Sequence, residues 1–208
     1  MTDNATPMFG CAKTCSLFFD VQVGSEQACQ RETVAANACN QGYEIVTAVC
    51  LQEDAVLDAL YPRLLARTKG SRMIGVVYDI SHPGVANDSF CSASASHSTD
   101  PLRLVAKSAI TTLEATGATW MRVPMPPTPL KAGIYWIGLL LEADVTCYGE
   151  TAADGGQPAV GPGSKDAYAR QSFAAGPVAG SELSWTHGIG GFAVYATTTT
   201  NTSTTSVA

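Results

Sequence analysis

Charge is scarce in this chain. Of its 208 residues only 14% are Asp, Glu, Lys or Arg, against about 25% in an ordinary soluble domain, so the surface is built largely from Thr, Ser, Ala, Gly and Asn. A polar but uncharged surface suits a protein packed among neighbours. Basic clusters are missing as well: 12 Lys+Arg against 18 Asp+Glu leave a formal net charge of -6. Phosphate recognition depends on clustered cations that displace counterions, so nucleic acid is excluded as a partner. No apolar run reaches the roughly 20 residues of a membrane helix. The densest, residues 133–141, is bounded by Pro127, Pro129, Glu142 and Asp144 and reads as a buried strand, so no membrane partner is expected. Residues 1–10 carry neither the basic start nor the apolar stretch of a secretory signal, which predicts synthesis and first folding in a cytoplasm.

Against that background seven cysteines are conspicuous: Cys11, Cys15, Cys29, Cys39, Cys50, Cys91 and Cys147. Zinc takes four Cys or His ligands in tetrahedral geometry, but neither Cys11/Cys15 nor Cys29/Cys39 has the two-residue spacing of a zinc knuckle, and no His lies near them. The expectation is therefore no metal and no cofactor. The thiols read instead as small buried hydrophobes or disulfide partners. An odd count leaves at least one of them free or paired between chains. A cytosolic protein keeps its thiols reduced, whereas a particle that leaves its cell meets oxidising conditions later. Cys11, Cys15, Cys29 and Cys39 are the candidates for disulfides or interchain thiols.

The chain changes character twice. Residues 1–42 mix Cys, Gln, Asn and Ala around one apolar stretch, residues 17–23 (LFFDVQV), a candidate short strand with too little apolar content for its own core. They read as an extended N-terminal arm docked on the domain or on a neighbour. Residues 198–208 are a Thr/Ser-rich tail without apolar period. Between them, residues 43–197 consist of short runs of β-branched and aromatic residues separated by Gly, Pro, Asn and Asp, the pattern of a sandwich or barrel. Strands are predicted at 44–51, 71–79, 102–113, 119–125, 134–142, 145–148 and 191–199, with Trp120 and Trp136 on central strands. Long loops are predicted at 80–101 and 149–169, exposed at the ends or edges of the sheets.

Residues 52–68 (QEDAVLDALYPRLLART) leave strand and helix both open. Val56, Leu57, Leu60, Leu64 and Leu65 fall at helical spacing, yet Pro62 sits where it breaks a helix. The Pro-rich stretch 124–129 is expected not to pair in a ladder and to act as a stiff crossover.

From Tyr43 onward an ordered series of phrases carries a resemblance: residues 55–67 (AVLDALYPRLLAR), 73–79 (MIGVVYD), 104–108 (LVAKS), 120–125 (WMRVPM), 129–140 (PLKAGIYWIGLL), 171–177 (QSFAAGP) and 191–197 (GFAVYAT). Over residues 43–197 this order resembles a β-sandwich module of phage virion and tail-associated proteins. The resemblance implies an all-β fold, an antiparallel, jelly-roll-like sandwich with an N-terminal extended arm. It also implies a non-enzymatic virion structural protein, such as a capsid decoration or cement protein or another accessory shell or tail protein. Its expected location is the virion, after synthesis in the host cytoplasm. Its expected partners are a major capsid or tail protein and further copies of itself.

Signs of catalysis are weak. His82, His97 and His187 stand in Ser/Gly/Pro-rich surroundings without a nucleophile or metal-ligand motif. Glu142 and Asp144 form a close acid pair, more simply a polar strand end than a glycosidase pair. Asp79, Asp88 and Asp100 match no calcium loop, and the Gly-rich phrases precede no helix. The sharper alternative function is a carbohydrate-binding or host-receptor-binding module at the virion surface or tail tip. In that reading Trp185 is the candidate glycan contact, and the two long loops form the contact face.

Overall fold

A computed structural model of the chain describes residues 8–9, 33–51, 54–79, 100–114, 119–150, 166–187 and 194–199. These form an all-β fold of two antiparallel sheets packed face to face. The first sheet contains β1 (Met8–Phe9), β2 (Thr33–Cys39), β4 (Ala55–Ala66), β8 (Thr119–Trp120), β9 (Val123–Leu130), β11 (Val145–Glu150) and β14 (Val194–Thr199). The second runs β13 (Thr186–His187), β12 (Asp166–Arg170), β3 (Tyr43–Leu51), β10 (Gly133–Leu141), β5 (Arg72–Asp79), β6 (Arg103–Lys107), with β7 (Thr111–Thr112) beside β5. Among the described residues no helix is long and apolar enough to cross a membrane.

The open question at residues 52–68 closes in favour of a strand. β4 is the axis of the first sheet, pairing through its first half with β14 and β9 and through its second half with β11 and β8. Both ladders of its first half slip in register near Asp58, and a slip of one residue moves the inward face by one position. The inward set is therefore Leu57, Ala59, Leu60 and Leu64, whose uneven spacing imitates a helix. Pro62 has no N–H to give; its carbonyl accepts the Met121 N–H at 3.0 Å, in the gap where β8 has ended and β9 has not begun.

Three other expectations are corrected. Residues 124–129 are not an unpaired crossover. They lie within β9, which pairs with β4, its one ladder partner among the described residues. Pro124, Pro126, Pro127 and Pro129 face solvent while Val123, Met125 and Leu130 are buried, so the prolines occupy an edge strand where missing donors are tolerated. Trp120 is not on a central strand; it is half-buried on the two-residue β8. The predicted strand 102–113 is two strands. At the break Ser108 donates its N–H to Gly75 O at 2.9 Å, and its hydroxyl accepts the Gly75 N–H at 2.8 Å, so a side chain replaces the next rung.

The main core lies between the sheets. Leu57, Leu60 and Leu64 of β4, Val123 and Met125 of β9, and Val145 of β11 meet Ile45 and Val49 of β3, Met73 and Val77 of β5, and Ile137 and Leu139 of β10. Each fully buried side chain of this kind stabilises the fold by about 1.5–3 kcal/mol. β10 is buried on both faces, as the apolar run 133–141 predicts for a central strand. Met8–Phe9 adds a strand to β14, with Met8 opposite Thr197 and Phe9 opposite Ala196. Thr33–Cys39 pairs with β11, so this part of the Cys-rich segment is built into the first sheet. The candidate strand 17–23 lies outside the described residues.

Candidate functional site

Strand alternation gives the second sheet two faces. One faces the main core. The other carries Glu44, Val46 and Ala48 of β3, Trp136 and Leu140 of β10, and Val76 and Tyr78 of β5, in rows fixed by the registers Ala48–Trp136–Tyr78 and Glu44–Leu140–Ile74. An outer face this apolar needs a cover, and residues 171–187 supply it. They leave β12 at Arg170, cross the sheet, and return as β13 to pair with β12 through Ala167–His187 and Tyr168–Thr186.

This strap is fastened at both margins. Near β12 the Gln171 N–H donates to Gly42 O at 2.9 Å, and near β6 the Ser181 N–H donates to Leu102 O at 3.0 Å. Between them the Tyr78 hydroxyl donates to Val178 O at 3.2 Å. Gly180 lies so close to the chain beneath it that an added Cβ would sit 2.4 Å from Pro101 O. Trp185 packs edge-on against Tyr78, with ring centroids 5.9 Å apart, and donates its indole N–H to Gly180 O at 2.9 Å. His187 packs against Trp136 at 5.8 Å and is held to Asp100 at 2.6 Å.

Glu44 is the unusual group of this face. Its side chain is buried, the residue being 0% exposed, and neither carboxyl oxygen has a hydrogen-bond partner of acceptable geometry among the described residues. The Tyr78 hydroxyl is its electrostatic neighbour. Burial pushes the Glu44 carboxyl up to about 7, with Tyr78 pulling weakly the other way. The Tyr78 hydroxyl is pushed upward by burial and by the adjacent carboxyl. Buried charges are ordinarily paired, so an unpaired one marks a functional candidate. Trp136 Nε1, Gln171 Oε1 and His187 Nδ1 are likewise buried without partners among the described residues. The arrangement places a carboxyl that titrates at about 7 beneath the cover of residues 171–187.

The sequence-predicted residues fall elsewhere for the most part. Cys39 is bonded to Cys147 in the first sheet, whereas Cys11, Cys15 and Cys29 lie outside the described residues, as do His82, His97 and Asp88. Trp185 is half-buried, its ring packed against Tyr78 of β5 and its N–H bonded to Gly180 O within the strap. Glu142 pairs with Arg72 at 2.6 Å, Asp144 accepts the Gln41 N–H at 2.7 Å, and Asp79 pairs with Arg103 at 2.9 Å. The acid pair at 142/144 is thus spent on local structure. Glu44 and Tyr78 were legible only as members of strands; the signal for Glu44 is one acid on the same alternating face as Val46 and Ala48. Among the described residues no group of three His, Cys, Asp or Glu side chains is placed to hold a metal ion. Compared with known protein families, with curated proteins and with solved structures, the chain matches none.

Proposed function

We propose that this chain is a structural component of a phage-like virion, most specifically an accessory shell or tail protein of the capsid-decoration kind, acting through subunit contacts and not through catalysis. The observation that carries the reading is the strand added by Met8–Phe9 to β14, because main-chain pairing at a sheet edge is a general way for a segment to dock on a sheet. The low charge of the chain and the ordered phrases that resemble virion sandwich modules support it. In a lattice, repeated edge and arm contacts multiply by symmetry, and each interface of standard size buries about 1,600 Å². The expected partners are a major capsid or tail protein and further copies of the chain.

The test is whether the protein copurifies with intact particles, in what copy number, and whether deleting residues 1–32 abolishes that association while the sandwich still folds. High copy number with loss on deletion supports the decoration role. Low copy number, with host-cell or glycan binding that disappears on Trp185→Ala, would favour the carbohydrate-binding or receptor-binding alternative. Absence from particles, or turnover of a substrate, would overturn both.

A further inference from the structure

We propose that Glu44 and Tyr78 form a one-proton latch holding residues 171–187 on the outer face of the second sheet, closed while Glu44 carries its proton and released when the proton leaves. The argument starts from the Tyr78 hydroxyl, which has a single hydrogen. That hydrogen goes to Val178 O at 3.2 Å, in the middle of the strap's path. A neutral Glu44 has an O–H of its own to give to the oxygen of the neighbouring Tyr78. Glu44, Tyr78 and Val178 then form a relay of two bonds with every hydrogen used.

Ionisation breaks the relay. A carboxylate has only acceptor sites, and a hydrogen bond to a charged acceptor is the stronger one, so the Tyr78 O–H turns toward Glu44 and Val178 O loses its donor. The proton leaves for water as the strap lifts, since the buried carboxylate has no donor but the Tyr78 hydroxyl among the described residues while water offers several. Three further buried atoms favour the same movement. Trp136 Nε1, Gln171 Oε1 and His187 Nδ1 lack partners among the described residues while the strap is down, and water satisfies them once it rises.

The surrounding groups leave Glu44 to Tyr78. From β12, Arg170 is exposed and lies over the Tyr43 ring at 5.6 Å. From β5 and the end of β10, Arg72 and Glu142 pair with each other, and Arg72 also lies over Phe173 at 5.6 Å. From β13, His187 is held by Asp100, and Glu182 of the strap is exposed. Burial places the Glu44 titration at about 7, within the range a particle or cell passes through.

The experiment is hydrogen exchange of strap peptides, residues 172–185, read by mass spectrometry between about pH 5 and 8.5 and corrected for the intrinsic base-catalysed rate. Wild-type strap protection is expected to fall by about tenfold per pH unit up to about pH 7 and then level off, while β4 peptides keep theirs. Glu44→Gln, which cannot ionise, is expected to give a flat strap profile. Tyr78→Phe, which removes the donor to Val178 O, is expected to lower strap protection at pH 5 about tenfold, while the slope that comes from the burial of Glu44 remains. A flat wild-type profile overturns the latch, as does a wild-type slope surviving in Glu44→Gln; should the Gln variant not fold, Tyr78→Phe decides, since strap protection unchanged at pH 5 would show that the Tyr78 bond to Val178 O does not hold the strap.

Discussion

Cys39 of β2 is joined by a disulfide to Cys147 of β11, 108 positions later in the chain. The two are not directly opposite: Cys39 faces Val145, and a register shift between Thr146 and Tyr148 surrounds Cys147, so that both sulfurs enter the main core. The bond ties the strand that ends the N-terminal segment to the middle of the first sheet. Closing so long a loop removes much freedom from the unfolded chain, about 5 kcal/mol by loop-closure entropy. Reduction, or the double change Cys39→Ala/Cys147→Ala, should therefore lower stability by an amount of that order. Urea denaturation of oxidised and reduced protein measures it; coincident midpoints would refute it. Because the bond lies within one chain, any slow-migrating species on non-reducing electrophoresis of particles would have to come from other cysteines, Cys11, Cys15 and Cys29 among them.

Glu44 makes stability depend on pH in a definite direction. Its carboxyl rises from an ordinary 4.5 to about 7 on folding, so between those values the folded chain binds more protons than the unfolded one. The contribution is fully present below about pH 4.5, declines as pH rises, and is gone above about pH 7. At 1.36 kcal/mol per pH unit the loss is roughly 3 kcal/mol. Glu142 and Asp54, held below the usual carboxylate range by Arg72 and Lys131, act in the opposite sense, favouring the fold above their unfolded titration range and losing that effect on acidification. Unfolding free energy at pH 5, 6, 7 and 8 for wild type and Glu44→Gln separates the two, since only the wild type should show the decline.

Two glycines are set by close approach, and their replacement should have different reach. A Cβ on Gly138 would lie 1.9 Å from Ile45 O and 2.7 Å from Val46 Cα, between the central strands β10 and β3. Gly138→Ala should cost about 3 kcal/mol or more and lower protection across the second sheet. Gly180→Ala meets Pro101 O at 2.4 Å but lies in the strap, so it should raise exchange in residues 172–185 while the thermal midpoint of the core moves by a few degrees at most. Equal global destabilisation by both would contradict this division.

Trp185→Phe keeps a ring against Tyr78 and removes the donor to Gly180 O. A loss near 1 kcal/mol, confined to strap exchange, is expected. If the variant instead left the strap unchanged, the indole N–H would have no part in holding it.

Much of the sandwich could be read from alternation. The strands predicted at 44–51, 71–79 and 134–142 agree within one residue at each end with β3, β5 and β10, because both of their faces are apolar and their ends carry turn residues. The failures have local causes. β4 imitates a helix since a register slip near Asp58 disturbs its period of two, and β9 hides among prolines because an edge strand can do without donors on one side. Ser108 breaks a continuous apolar pattern with its own hydroxyl. The site was not legible, because what makes Glu44 unusual is the cover placed on it by residues more than 120 positions away. Alternation places Glu44 on a face; only the strap makes that face an interior.

The prolines of β9 have a consequence for crowding. Sheet edges exposed at high local concentration invite indefinite strand-on-strand growth into fibres. Pro124, Pro126, Pro127 and Pro129 leave four positions on this margin that cannot donate to an incoming strand. Copies crowded together at high concentration can meet along β9 without zipping into an amyloid ladder.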